Sequence, residues 1–174
     1  MAVLEILKYP HPVLKEKAKP IEEVDDRIRE LAENMIETMR EAPGAGLAAP
    51  QVGESCRLIV LDASTEEEVK ELVVINPEIT TADGEIIFNE ACLSVIDYSA
   101  NVTRANDITV RGLDLNGNPI EIKATERMAV VFQHEIDHLD GILFIDRISG
   151  LKRDLYKRRL KKMLKSQEKE AAAG

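Results

Sequence analysis

The order of patterns along the 174 residues predicts mixed, mainly antiparallel β-structure framed by helices at both ends. Three observations carry this. Apolar residues recur at helical spacing over residues 25–42. A Val- and Ile-rich region broken by turn signals runs from 56 to 124, and helical spacing returns from Thr125 onward. The length suits one domain able to bury a core without disulfides.

Met1 to Leu7 reads as a short apolar strand or extended arm. Tyr9-Pro10-His11-Pro12 marks a turn, because two prolines forbid regular pairing, and His11 there suits a capping or surface role. In the first helix Ile28, Leu31, Met35, Ile36 and Met39 fall on one stripe, Asp25 and Asp26 suit the first turn, and Pro43-Gly44 stops it. Gly44-Ala45-Gly46-Leu47-Ala48-Ala49-Pro50-Gln51-Val52-Gly53 is small and nearly chargeless. It matches neither the dinucleotide fingerprint nor a phosphate loop, and Gln51 is its only side chain able both to donate and to accept hydrogen bonds.

Strands are expected at Cys56–Leu61, Leu72–Asn76, Glu85–Phe88, Ile108–Leu113 and Ile120–Ala124, with Asn116-Gly117 turning the last two into a hairpin. Cys56, inside an apolar strand, reads as a buried inert thiol. A second helix runs from about Thr125, as N-cap, to Leu139, with Gly141 as its stop. The tail from Leu151 carries Leu155, Leu160, Met163 and Leu164 on an otherwise basic helix whose last residues, from Glu170, are expected to fray.

The net charge of −9 is unevenly spread: residues 151–174 hold nine Lys or Arg against three acids, a net of +6, leaving −15 on the first 150. An acidic body argues against DNA or general nucleic-acid binding. Two cysteines, no signal-like start and no apolar run of about 18 residues argue for a soluble protein in a reducing compartment, with no membrane contact.

Gln133-His134-Glu135-Ile136-Asp137-His138 contains H-E-x-x-H. On a helix, residues four apart lie one turn above each other, so both imidazoles reach one metal ion with Glu135 beside it. The bland alternative makes both histidines core residues, with Glu135 and Asp137 on a wet face. A catalytic zinc-type site needs three protein ligands, and Cys92, in Glu90-Ala91-Cys92-Leu93-Ser94, is one of few candidates outside the helix.

Three stretches in this order, G-A-G-L-A-A-P-Q, E-A-C-L-S and Q-H-E-I-D-H-L-D-G, resemble the signature motifs of the peptide deformylases, and the resemblance covers almost the whole chain. It implies an α+β fold around a central metal-binding helix: residues 1–150 as the catalytic domain, 151–174 as a C-terminal basic helix and tail. It further implies a ferrous or zinc ion held by Cys92, His134 and His138, with Ni²⁺ or Co²⁺ also accommodated by such a donor set. The implied reaction removes the formyl group from the N-terminal formyl-methionine of new polypeptides in the bacterial cytoplasm. Glu135 would be the general base acting on metal-activated water, with the Gln51 amide and the Leu93 backbone N–H as donors to the developing oxyanion. Glu90 and Arg104 are expected to pair near the site.

For the methionine pocket the candidates are Val130 and Val131, four and three residues before His134, with Phe88, Ala91, Ala45 and Gly46. The chain departs from the family pattern at Ala91 (commonly glycine), at Val95-Ile96 (commonly Val-Pro or Ile-Pro), at Asp97-Tyr98-Ser99 (no basic residue) and at Arg127 (commonly apolar). The basic tail suggests contact with ribosomal RNA. Two rivals stay open: a zincin-type peptidase sharing H-E-x-x-H, and a non-catalytic metal- or ribosome-binding module.

Overall fold

A computed structural model describes residues 2–173. The chain enters as an extended arm, without strand pairing, pinned by backbone donors: Leu4 N–H to the Thr38 hydroxyl at 2.8 Å and Leu7 N–H to the Gln51 carbonyl at 2.7 Å. Of the two forms expected at the start, strand or arm, the structure shows the arm, and Met1 lies outside the described residues. At the proline turn His11 caps a short 3₁₀ turn, its Nδ1 accepting from Val13 N–H at 3.2 Å.

Helix α1 spans Asp26–Glu41, and Asp25 caps it by accepting from Ile28 N–H. Seven strands follow: β1 (Gly46–Ala48), β2 (Leu58–Asp62), β3 (Glu71–Asp83), β4 (Ile86–Cys92), β5 (Val95–Arg104), β6 (Asp107–Leu113) and β7 (Pro119–Thr125). Helix α2 spans Glu126–Leu139 and α3 Gly150–Ala173. Five strands form one sheet in the order β1-β2-β3-β6-β7, and β4 pairs with β5 in a separate hairpin. Among the described residues all the strand pairings are antiparallel, and parallel contact is limited to the isolated bridge between Lys19 and Cys56.

The continuous apolar run of β2 has a simple cause. Leu58 and Val60 pack towards α1 with Ile28, Ala32, Met35 and Met39, whereas Ile59 and Leu61 pack towards α2 with Phe132, Ile136 and Leu139. A strand covered on both faces has no need of alternation. A third cluster joins the β4–β5 hairpin (Val95, Ala100, Val102) to Leu143, Phe144 and Ile145 and to Tyr156 and Leu160 of α3.

Several expectations shift. β5 was not read from the sequence at all, and β3 runs seven residues beyond Asn76. Cys56 is half-buried and precedes β2, although burial does push its thiol up to about 11, which keeps it unreactive. Thr125 stands at the N-cap of α2 without a capping bond from its hydroxyl, while Gly141, at φ 73°, ends that helix in the left-handed turn expected of it. In α3 the docking residues are Tyr156 and Leu160, whereas Leu151 and Leu155 face solvent. The helix continues through the stretch expected to fray, as far as Ala173.

Candidate metal centre and cleft

Helix α2 is fixed between the sheet and the hairpin, and its turn spacing sets His134 and His138 with ring centroids 5.1 Å apart. The end of β4 delivers Cys92 to them, its Sγ 3.3 Å from His138 Nε2. One donor atom from each of Cys92, His134 and His138 lies within 4.8 Å of the others. Two imidazoles and a thiol at that spacing fit a tetrahedral divalent ion with one position left for a small ligand.

Behind the histidines lies a chain of charges. His134 Nδ1 meets Glu90 Oε1 at 2.8 Å, which directs Nε2 towards the other donors. Arg104 grips Glu90 with two bonds of 2.8 Å and reaches Asp137 at 2.6 Å; Arg147 closes on Asp137 from outside at 2.5 and 2.7 Å. Burial opposes the charge on Glu90, but the bonds from Arg104 and His134 outweigh it and bring its carboxyl down to about 2. On His134 burial likewise opposes protonation, and the bonds to Cys92 and Glu90 override it, raising its affinity for a proton. The expected Glu90–Arg104 pair is present, and Asp137, far from a wet face, is buried within the same network.

The front of α2 differs. Glu135 is buried, its carboxyl is pushed up to about 7 chiefly by burial, and its Oε2 has no hydrogen-bond partner among the described residues. His138 Nδ1 is also buried without one, and burial lowers that ring's affinity for a proton. Such orphaned atoms are costly in a core and ordinary in a site that handles water or ligand.

Gly46 explains part of the chargeless loop: a Cβ there would sit 2.8 Å from Glu135 Cγ, so the glycine makes room for the carboxylate. β1 is also the sheet's edge strand, hydrogen-bonded only to β2. Just after it, a 3₁₀ turn over Ala49–Val52 buries Gln51. Ala48 N–H donates to Gln51 Oε1 at 3.0 Å, which turns Nε2 towards Ser94 Oγ at 3.1 Å, with Cys92 Sγ 3.7 Å away.

A cleft of about 390 Å³ opens at the site, with Cys92 and His134 of the three donors on its lining. It is lined by every cleft residue anticipated from the sequence: Ala45, Gly46, Phe88, Ala91, Val130 and Val131, with Gln51, Leu93, Cys92, His134 and Glu135 at its floor. Sequence reasoning missed Ser94, which anchors Gln51, and Arg147, which anchors Asp137. Neither carries a periodic signal, since each is defined by a partner distant in sequence.

The family profile for polypeptide deformylase matches residues 3–154. The peptide deformylase of Thermodesulfovibrio yellowstonii is 54% identical over 162 residues, covering 92% of this chain and 98% of that protein. Among solved structures, a peptide deformylase from Legionella pneumophila superposes with a TM-score of 0.88 at 42% identity, covering 96% of this chain and 98% of that one. A class I type b peptide deformylase from Acinetobacter baumannii, bound to Met-Ala-Ser, gives 0.80 at 36% identity, covering 84% of this chain and 99% of that one. A thiol and two imidazoles converging beside a buried carboxylate, in a fold that these enzymes share, place this chain in the peptide deformylase family, metal-dependent hydrolases that remove the N-formyl group from nascent polypeptides.

Proposed function

We propose that Cys92, His134 and His138 hold the catalytic ion, that Glu135 is the general base and that Gln51 and Leu93 stabilise the oxyanion. The observation that carries this is the convergence of three donor atoms within 4.8 Å beside a buried carboxylate with an unpartnered oxygen. A divalent ion bound there supplies Lewis acidity and lowers the pKa of water from about 15.7 towards about 7. Glu135, buried beside the donors with one oxygen unpartnered, accepts a proton from the attacking water and passes it to the departing amine. The formyl C–N bond breaks, and formate and the free N-terminal amine are the products. Gln51 Nε2, held by Ala48 and Ser94, donates to the formyl oxygen as charge develops on it; the Leu93 backbone N–H is assigned the second bond.

The cleft wall of Val130, Val131 and Phe88 takes the methionine side chain, with Ala45, Gly46 and Ala91 along the peptide backbone. That an Acinetobacter relative was solved with Met-Ala-Ser bound supports a peptide beginning with methionine as the ligand class. Fe²⁺ is assigned as the resident ion in the cell, with Zn²⁺, Ni²⁺ and Co²⁺ accepted by the same donors. Residues 1–150 form the catalytic unit, and the basic helix from 151 is assigned to ribosome contact in the bacterial cytoplasm. Among the described residues no helix is long and apolar enough to cross a membrane.

The peptidase reading loses support because the third donor is Cys92, and the closed-module reading because Cys92 and His134 line an open cleft. The test is anaerobic purification, metal analysis and an assay of amine release from formyl-Met peptides. One ion per chain and release are expected, with both reduced in Cys92→Ser. No release with any of the four ions would overturn the proposal, and a Cys92→Ser protein with full metal and activity would remove Cys92 from the ligand set.

A further inference from the structure

Among the described residues Arg127 is the only Lys or Arg lining the cleft, where Glu90 is neutralised by Arg104. It stands in the first turn of α2, a position where the helix dipole disfavours a cation, and its side chain is exposed. Among the described residues it makes no ion pair. Arg40, nearby, is by contrast held by Glu37 and Glu71.

Its place relative to the metal centre follows from helix geometry. Arg127, Val130, Val131 and His134 are separated by three, four and seven residues, so they form one stripe along α2. Seven residues advance ~10 Å along a helix. The loop opposite runs the same way: Gly46 lies against Glu135, while Pro43, Gly44 and Ala45 line both the cleft and an adjoining cavity of about 370 Å³, and Arg127 lines both as well. An extended peptide advances ~3.4 Å per residue. With its formyl group at the donors and its methionine at Val130 and Val131, its second or third residue comes within reach of Arg127.

Resting on the deformylase reading, we infer that Arg127 is a specificity-determining residue that favours nascent chains carrying Asp or Glu at the second or third position. Asp62, close enough to share the field of Arg127, offsets part of the attraction, and the site is open to solvent. The preference is therefore modest, about two- to fivefold, as for exposed ion pairs.

The experiment compares kcat/KM of the metal-loaded enzyme for C-terminally amidated formyl-Met peptides with Glu, Gln or Lys at position 2 or 3, at low and high salt. Glu over Gln by about two- to fivefold is expected at one of these positions, expressed in KM and shrinking with salt. The ratio falls to about one in Arg127→Gln, persists in Arg127→Lys and inverts towards Lys substrates in Arg127→Glu. Equal Glu/Gln ratios in the native and Arg127→Gln enzymes would overturn the inference. So would a gain confined to peptides with a free C-terminal carboxylate, which would assign the effect to a chain end. Failure to hydrolyse formyl-Met-Ala-Ala-amide would overturn the deformylase reading itself, a different result from hydrolysis without charge discrimination.

Discussion

The back and the front of α2 serve one metal centre under opposite rules. At the back, Glu90, Arg104, Asp137 and Arg147 bind one another in an unbroken series ending on His134. At the front, Glu135 and His138 keep buried polar atoms without partners. The back spends its polar groups on holding a ligand still. The front leaves them free for chemistry and accepts the loss of stability that follows. Damage behind the helix should therefore register as unfolding, and damage before it as lost turnover.

The sharpest separation should come from Glu135→Gln. Removing the base should cost ~10²–10⁴-fold in kcat while the bound metal stays and the urea midpoint is unchanged or raised. Activity within tenfold of native would mean another group takes the proton. Arg104→Met should do the reverse, leaving Glu90 a buried charge without its arginine and Asp137 held by Arg147 alone, at a cost of ~3–5 kcal/mol by urea unfolding. A loss below ~1 kcal/mol would show that the rear network is not the stabilising half.

Gly46→Ala crosses the boundary between the two. Its methyl group must push Glu135 aside, so kcat should fall ~10–100-fold for ~1–3 kcal/mol of stability. Activity unaffected by this change would mean that Glu135 tolerates displacement. The smallest effect belongs to Arg147→Met, ~1 kcal/mol, because Arg104 still holds Asp137. A loss as large as that of Arg104→Met would make the outer arginine an equal partner.

The front was more legible in the sequence than the back. H-E-x-x-H states its geometry through helical spacing, and the stripe of α1 and the Asn116-Gly117 hairpin are equally local signals. β5 escaped because its inward positions include Ala100 and Arg104, a weak apolar residue and a charge, so the alternation that burial reveals is faint in the residue types. Asp137 and Arg147 look like ordinary surface charges until the hairpin brings Arg104 between Glu90 and Asp137. The docked face of α3 was legible only in part: Leu160 and Leu164 pack as an apolar stripe would, while Tyr156 escaped because its partner is the carbonyl of Ile96, 3.0 Å from its hydroxyl on the unforeseen strand.

The division of the strands into a five-stranded sheet and a separate hairpin has a consequence in time. Two of the three donors ride on α2, packed against the sheet, and the third on the hairpin, packed on Leu143, Phe144 and α3. A newly made chain has no complete site until those bodies meet, and a finished one loses it whenever they part. Parting of the two bodies would separate Cys92 from His134 and His138, so the seam between the two cores is the clasp that keeps the three donors together.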